Sequence, residues 1–98
     1  MNGNGRTQVE ADLHRVEVLR EVMAERRRQD ELHPASVIDR FHWLSVLGEE
    51  LGEAHKAANE KSLAGMREEL IHVAAVAVRI VELMDAGMLK EQQRSEGR

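Results

Sequence analysis

Apolar residues recur three to four positions apart along most of the chain, which is the spacing of one face of an α-helix. The pattern predicts three helices, with approximate bounds 9–31, 40–58 and 63–85. The first should end before Pro34, because the residue before a proline is pushed out of the helical region. Asp39 is a fair N-cap for the second helix, and Gly87 can end the third.

The remaining segments fit a single domain. Residues 1–8 are polar and rich in glycine and asparagine, which predicts a disordered lead. Residues 9–87 are predicted to form one helical domain, and residues 88–98 a charged tail that frays. A chain of 98 residues can bury only a modest core. The predicted fold class is therefore all-α, an antiparallel helical bundle.

The third helix is apolar almost all the way round. Between Leu70 and Met84 only His72, Arg79 and Glu82 interrupt the apolar sequence. A helix of this kind needs protein on every side, and one chain offers just two other helices to cover it. We therefore expect a second copy to complete the bundle, as a homodimer or a homotetramer.

The composition narrows the class of protein. It is 42% hydrophobic and 33% charged with one Phe, one Trp and no Tyr, so the interior must be aliphatic, which favours helices. The absence of cysteine excludes disulfides, thiolate metal sites and cysteine nucleophiles. A net charge of -4 argues against binding a nucleic acid polymer through a basic face. The longest apolar run, residues 73–78, is far too short to span a membrane, and we expect a soluble cytoplasmic protein.

Two helices each place a glutamate inside the apolar face. Glu50 has apolar neighbours three, four and seven positions away, apart from Glu53, which lies at the edge of the face one turn along. Glu69 falls within the apolar arc of the third helix, with His72 at its border. Each helix thus offers an acid and a second ligand at spacing i, i+3, and in antiparallel neighbours the two pairs can converge.

Such a group is unstable without a counter-charge. Two like charges about 6 Å apart repel by roughly 3 kcal/mol at an effective dielectric of about 20, and desolvation adds to that cost. A divalent cation relieves both, and oxygen-rich ligands suit Mg²⁺ or Mn²⁺, with an imidazole shifting the balance toward Mn²⁺. Most helical glutamates are simply solvated, which is the expectation for Glu49, Glu60 and Glu68, and a structural role for His72 stays open.

These residues resemble the motif of the MazG-like all-α nucleoside triphosphate pyrophosphohydrolases, whose hallmark is E-E-x-x-E followed on the next helix by E-x-x-D. The first half is intact from Glu49 to Glu53. The second half runs from Glu69 to His72, with histidine in place of aspartate. The segments ERRRQDELHP and HVAAVAV are also similar to short, phage-type members, so the resemblance covers roughly residues 25–85.

The resemblance implies a Mg²⁺-dependent enzyme that cuts nucleoside triphosphates to the monophosphate and pyrophosphate, working as a homodimer or a dimer of dimers. It implies Glu50, Glu53 and Glu69 as metal ligands, His72 in the place of the fourth carboxylate, and Glu49 as the residue that orients or deprotonates the attacking water. Because imidazole carries no negative charge, we expect a changed metal preference or a lost second metal position. Loss of catalysis with nucleotide binding kept is the third outcome.

Substrate contacts are predicted at four further residues. Arg27 and Gln29 match the first-helix ending of the family and are candidates to contact the nucleotide. Trp43, two turns before Glu50 on the same face, could stack on a base, although plain core packing is an equal interpretation. Lys56 could reach a phosphate or simply be solvated.

Two hypotheses from other classes remain open. The pair Glu69-x-x-His72 is also a ligand pair of ferritin-like di-metal carboxylate bundles, which would bind iron and act on dioxygen. The chain could also be a non-catalytic helical oligomer that binds nucleotide or a protein partner without turnover. Metal content and pyrophosphate release discriminate among the three.

Overall fold

The computed structural model describes residues 7–33 and 38–90 of the chain. It contains three helices and one pair of two-residue parallel strands: α1 (Gln8–Leu32), β1 (Ile38–Asp39), α2 (Arg40–Asn59), α3 (Leu63–Asp85) and β2 (Leu89–Lys90). This confirms the all-α prediction, and every helix boundary lies within one residue of its predicted position. The predicted lead (1–8) and tail (88–98) lie mostly outside the described residues, but Gln8 already belongs to α1 and residues 89–90 of the predicted tail form β2.

Side-chain caps set the helix starts. The Thr7 hydroxyl accepts a hydrogen bond from the Glu10 N–H, and the Glu10 carboxylate accepts one from the Thr7 N–H, which is a capping box. This cap begins α1 at the end of the segment predicted as a disordered lead. The Asp39 carboxylate accepts a hydrogen bond from the Phe41 N–H, which confirms Asp39 as the N-cap of α2. Ser62 caps α3 in the same way.

Both α2 and α3 end at a residue with left-handed backbone. Gly87 has a φ of 70°, and the N–H of Met88 donates to the carbonyl of Leu83 at 2.9 Å, so α3 ends as predicted. Lys61 occupies the equivalent position after α2 with a φ of 61°, although it carries a Cβ. The short turn returns the chain directly along α2, so α2 and α3 are antiparallel neighbours.

The core lies where the start of α2 meets the second half of α3. Its buried members are Trp43, Val76 and Leu83, and the partly buried Val46 and Ile80 pack against them. Because α3 makes the main contacts with both other helices, it is the central element of the described chain.

Ion pairs fix the direction of α1 against α3. Arg67 donates to both carboxylate oxygens of Glu21 at 2.8 Å. Arg26, further along α1, pairs with Glu82, further along α3. The two pairs occur in the same order along both helices. The helix α1 therefore points in the same general direction as α3 and opposite to α2. This arrangement brings the last turns of α1 beside the second half of α3.

The described part of the chain leaves much of its apolar surface uncovered. Leu13 and Leu19, which helped to mark the first helix in the sequence, are 61% and 55% exposed, whereas Val22 is buried. On α3, Val81 and Met84 are also exposed. The other described residues therefore do not cover all of the apolar surface of α3. No helix among the described residues is long and apolar enough to cross a membrane.

Replacement of Lys61 by glycine should stabilise the protein. A left-handed backbone costs a residue with a Cβ about 1–2 kcal/mol, and glycine avoids this cost. Part of the gain is offset because glycine makes the unfolded chain more flexible. We expect Lys61→Gly to raise the free energy of unfolding by about 0.5–1 kcal/mol, measured by urea denaturation. Ala58→Gly, three residues earlier inside α2, should lower it by about 1 kcal/mol. Equal destabilisation by both changes would contradict the left-handed turn.

Candidate metal centre

Three of the predicted ligands converge between α2 and α3. Glu50, Glu69 and His72 each offer one ligand atom, and these atoms lie within 4.8 Å of one another. The Nδ1 atom of His72 is 3.1 Å from Oε1 of Glu69 and 3.8 Å from Oε1 of Glu50. All three side chains are half-buried. The i, i+3 pair of α3 and the inward acid of α2 therefore form one group across the helix interface.

A fourth residue beside the group, Glu25, was not predicted from the sequence. Its Oε1 atom lies 3.9 Å from Nε2 of His72, on the opposite edge of the ring from the other two carboxylates, and its side chain is only 10% exposed. Arg28 donates to both of its oxygens at 2.8 and 2.7 Å, and Gln29 donates to it at 3.3 Å. The hydrogen bonds from Arg28 are the main reason that the pKa of Glu25 is lowered, so this carboxylate is ionised at neutral pH.

The pKa of Glu50 moves in the opposite direction. Desolvation by burial is the largest cause of its rise, and the negative charges of Glu69, Glu25 and Glu53 add to it, whereas the charge of protonated His72 opposes it. The ionised form of Glu50 is thus disfavoured in the folded protein. A cation close to its carboxylate would reverse this preference.

The donor set fits a divalent cation. It combines two carboxylates with one imidazole, and hard divalent cations prefer oxygen while an imidazole extends the set to transition metals. A histidine that binds a metal through one ring nitrogen usually donates its other N–H to a carboxylate. In His72, Nδ1 faces Glu69 and Glu50, and Nε2 faces Glu25 at 3.9 Å, which is beyond hydrogen-bond distance. The donor chemistry does not choose between Mg²⁺ and Mn²⁺.

The other predicted site residues lie around this group. Glu53, predicted as a ligand, is exposed one turn beyond Glu50 and does not belong to the convergent set, so its role as a ligand stays a prediction. Glu49 is exposed and lines a cavity beside the group. Lys56 and Arg27 are exposed and are absent from the lining of that cavity. A guanidinium nitrogen of Arg27 instead lies 3.4 Å from the sulfur of Met23.

The cavity has a volume of about 490 Å³ and is bounded by all three helices. Gln29 and Trp43, both predicted to contact substrate, line it together with Glu50. Trp43 is a core residue, only 6% exposed. The Arg79 guanidinium, which the sequence showed only as an interruption of an apolar run, lies 4.8 Å from the centre of its ring. Stacking of a base on that face of Trp43 is therefore blocked by a residue of the same chain.

Comparison of the chain with family models, with curated proteins and with solved structures found no match. The MazG-like resemblance accordingly rests on the motif residues alone and stays a hypothesis.

Replacement of Glu50 by glutamine should stabilise the metal-free protein and abolish its response to metal. The pKa of Glu50 is raised in the folded state, so its contribution to stability is present below its ordinary pKa of 4.5 and is lost as the pH rises through the folded-state pKa. Glutamine cannot ionise, so the variant does not lose stability in this way. We expect Glu50→Gln to have a higher melting temperature than the wild type at neutral pH. Added Mg²⁺ or Mn²⁺ should raise the melting temperature of the wild type only.

Two further variants test the same group from opposite sides. His72→Asp adds a negative charge, so it should lower the melting temperature without metal and raise the affinity for Mg²⁺. Glu68→Gln, an exposed change on the same helix, should alter neither quantity. A wild-type melting temperature that is insensitive to both metals would show that the group does not bind a cation.

Proposed function

We propose that the protein is a divalent-metal-dependent nucleoside triphosphate pyrophosphohydrolase, which converts a ribo- or deoxyribonucleoside triphosphate to the monophosphate and pyrophosphate. The observation that carries this proposal is the convergence of Glu50, Glu69 and His72, of which Glu50 also lines a cavity of ligand size. The MazG-like motif supplies the reaction type. In this reaction the oxygen of water bonds to the α-phosphorus, the bond from that phosphorus to the α–β bridging oxygen breaks, and pyrophosphate leaves.

Three residues of the chain would bind the metal, and a fourth, Glu25, would orient one of them. Glu50, Glu69 and His72 provide two carboxylates and one imidazole, and Glu25 would accept a hydrogen bond from the far nitrogen of the ring and so fix its orientation. A bound divalent cation would neutralise phosphate charge and lower the pKa of a bound water. A bound cation would thus allow an acidic protein to bind an anionic substrate.

Glu49 is the proposed general base. It lines the cavity next to Glu50, but its own side chain is exposed and takes no part in the convergent group. A carboxylate in that position can accept a proton from water while the neighbouring acids remain with the metal. Positioned general bases contribute about 10²–10⁴-fold to a rate.

Pyrophosphate release is the direct test. Incubation with a panel of ribo- and deoxyribonucleoside triphosphates, with Mg²⁺ or Mn²⁺, should release pyrophosphate and the monophosphate. Glu49→Gln should lower kcat by about 10²-fold or more with little change in KM, because it removes proton transfer and leaves binding intact. Glu68→Gln should have wild-type rates. Release of orthophosphate in place of pyrophosphate, or no turnover with either metal, would reject the proposal.

A di-metal carboxylate protein is the second candidate. It is favoured by the i, i+3 pair of Glu69 and His72, joined here by Glu50 and Glu25 from the two other helices. Bound iron and consumption of dioxygen without triphosphate hydrolysis would select it. Nucleotide binding without turnover would select the third hypothesis, a non-catalytic binding module.

A homodimer or homotetramer is part of the proposal. Val78, Val81 and Met84 form an exposed apolar strip on α3, at 40%, 55% and 60% exposure. Exposed apolar patches of neighbouring residues are typical of protein interfaces, and a second copy of the chain offers the same apolar strip for a symmetric contact.

The assembly is tested by a charge on this strip. Val81→Lys should shift the protein from a dimer or larger species to a monomer in sedimentation, because a lysine there would be buried without a partner. Asn59→Lys, an exposed polar position at the end of α2, should keep the wild-type size. A wild-type chain that sediments as a monomer would contradict the homo-oligomer.

A further inference from the structure

The ion pair of Glu25 and Arg28 borders two cavities. Arg28 donates to both carboxylate oxygens of Glu25, at 2.8 and 2.7 Å. Both residues line the cavity that is bounded by all three helices, and both also line a second cavity of about 560 Å³ between α1 and α3. His72 lines the second cavity as well. The ion pair therefore lies beside the candidate metal centre and is accessible from the cavities.

The two partners of this ion pair differ in their exposure to solvent. The side chain of Glu25 is only 10% exposed, whereas that of Arg28 is 54% exposed. The packing of the helices thus fixes the carboxylate, while the guanidinium lies largely in solvent. An ion pair with an exposed partner contributes little to stability, so that partner can leave at low cost. Arg28 is therefore the member of the pair that can exchange its partner.

Arg28 compensates part of the negative charge around His72. Three carboxylates lie within 3.9 Å of a ring nitrogen of His72, and they belong to Glu25, Glu50 and Glu69. Among the ion pairs of the described residues, Arg28 is the only arginine or lysine that pairs with any of the three. The pKa of Arg28 is raised, mainly by its hydrogen bonds to Glu25 and to a smaller extent by the charge of Glu50. A divalent cation and this guanidinium would thus compete for the same negative charge.

Arg28 is also the cation that an anion in the three-helix cavity can reach. The other arginine in the lining is Arg79, whose side chain is only 3% exposed. Arg79 already donates to the carbonyls of Gln29 and His33 and lies against the ring of Trp43. A guanidinium binds a carboxylate and a phosphate or sulfate group through the same paired N–H groups. A tetrahedral oxyanion can therefore replace Glu25 as the partner of Arg28.

We propose that Arg28 exchanges partners: it neutralises Glu25 while the metal centre is empty, and it binds an oxyanion in the cavity when a divalent cation occupies the centre. This inference rests on the metal centre of the proposed function and adds a coupling between the cation and the anion. By thermodynamic linkage, each ligand raises the affinity for the other by the same factor. The protein thus binds an anionic ligand most tightly when the metal is present.

The effect of Arg28→Gln on metal binding tests the exchange. Loss of the competing charge should tighten Mn²⁺ binding about tenfold, the order expected for one charge several ångströms from a half-buried site. Free Mn²⁺ is measured by electron paramagnetic resonance. A merely structural role for Arg28 predicts weaker binding instead, because Glu25 would lose the partner that holds it beside His72.

Two control variants separate the charge of Arg28 from its packing. Arg28→Lys keeps the positive charge and should bind Mn²⁺ as the wild type does. Arg67→Gln removes a matched ion pair, in which Arg67 donates to both oxygens of Glu21 at 2.8 Å, and it should also keep the wild-type affinity.

Sulfate is the probe for the anion. The wild type should bind Mn²⁺ about fivefold more tightly in sulfate than in chloride of equal ionic strength, which is a typical coupling between two sites. Arg28→Gln should have the same affinity for Mn²⁺ in both salts, because it lacks the group that changes partner. Arg67→Gln should respond to sulfate as the wild type does.

The outcomes separate this exchange from the proposed reaction. Mn²⁺ binding that is unchanged or weaker in Arg28→Gln, equally tight in Arg28→Lys and Arg28→Gln, or insensitive to sulfate in the wild type would reject the exchange and leave the metal centre in place. The expected results in a protein that releases no pyrophosphate would keep the exchange and reject the pyrophosphohydrolase. A wild type that binds no Mn²⁺ would reject both. Circular dichroism of each variant verifies that the helices are intact.

Discussion

The half-buried carboxylate of Glu50 is the constraint on which the candidate site depends. It is held at the interface of α2 and α3 with other acids close by, and burial together with their charges raises its pKa. A packed apolar contact at this position would stabilise the bundle more, because a desolvated charge is costly without a partner. The coulombic effect of His72 opposes this rise in the pKa of Glu50 without cancelling it. A cation bound beside Glu50 would remove this cost.

The direction of α1 beside α3 brings residues of α1 close to the candidate metal centre. It places Glu25 on the far edge of the His72 ring, with Arg28 and Gln29 as its hydrogen-bond partners. One turn later, Gln29 lines the cavity, and α3 supplies Arg79, which donates to the carbonyls of Gln29 and His33 at the end of α1. The end of α1 is thus joined both to the group that would hold a metal and to the wall of the neighbouring cavity. A ligand in the cavity and a cation at the centre would share this support.

The sequence predicted what is local and missed what depends on contacts between distant segments. Helix bounds followed from periodicity and capping, and the inward direction of Glu50 and Glu69 followed from their apolar neighbours on the same helix. Glu25 was not predicted because its contact is with His72 of α3, 47 residues further along the chain. The pattern of apolar residues on α1 does not indicate that contact. The burial of Arg79 was not predicted for a related reason. A charged residue within an apolar run is expected to be exposed, and its contacts with α1 and α2 are not visible in the sequence.

Histidine at position 72 stands where the resembling motif has an aspartate, and it keeps a side chain that can bind a metal. Where the resemblance expects a carboxylate the chain has His72, and Glu25, an anion stabilised by Arg28, lies 3.9 Å from its other ring nitrogen. A carboxylate that accepts a hydrogen bond from a metal-binding imidazole makes that imidazole a more basic ligand, and Glu25 would have to move closer to His72 to do so. In the proposed metal centre, α1 would thus add a negative charge close to a motif carried by α2 and α3.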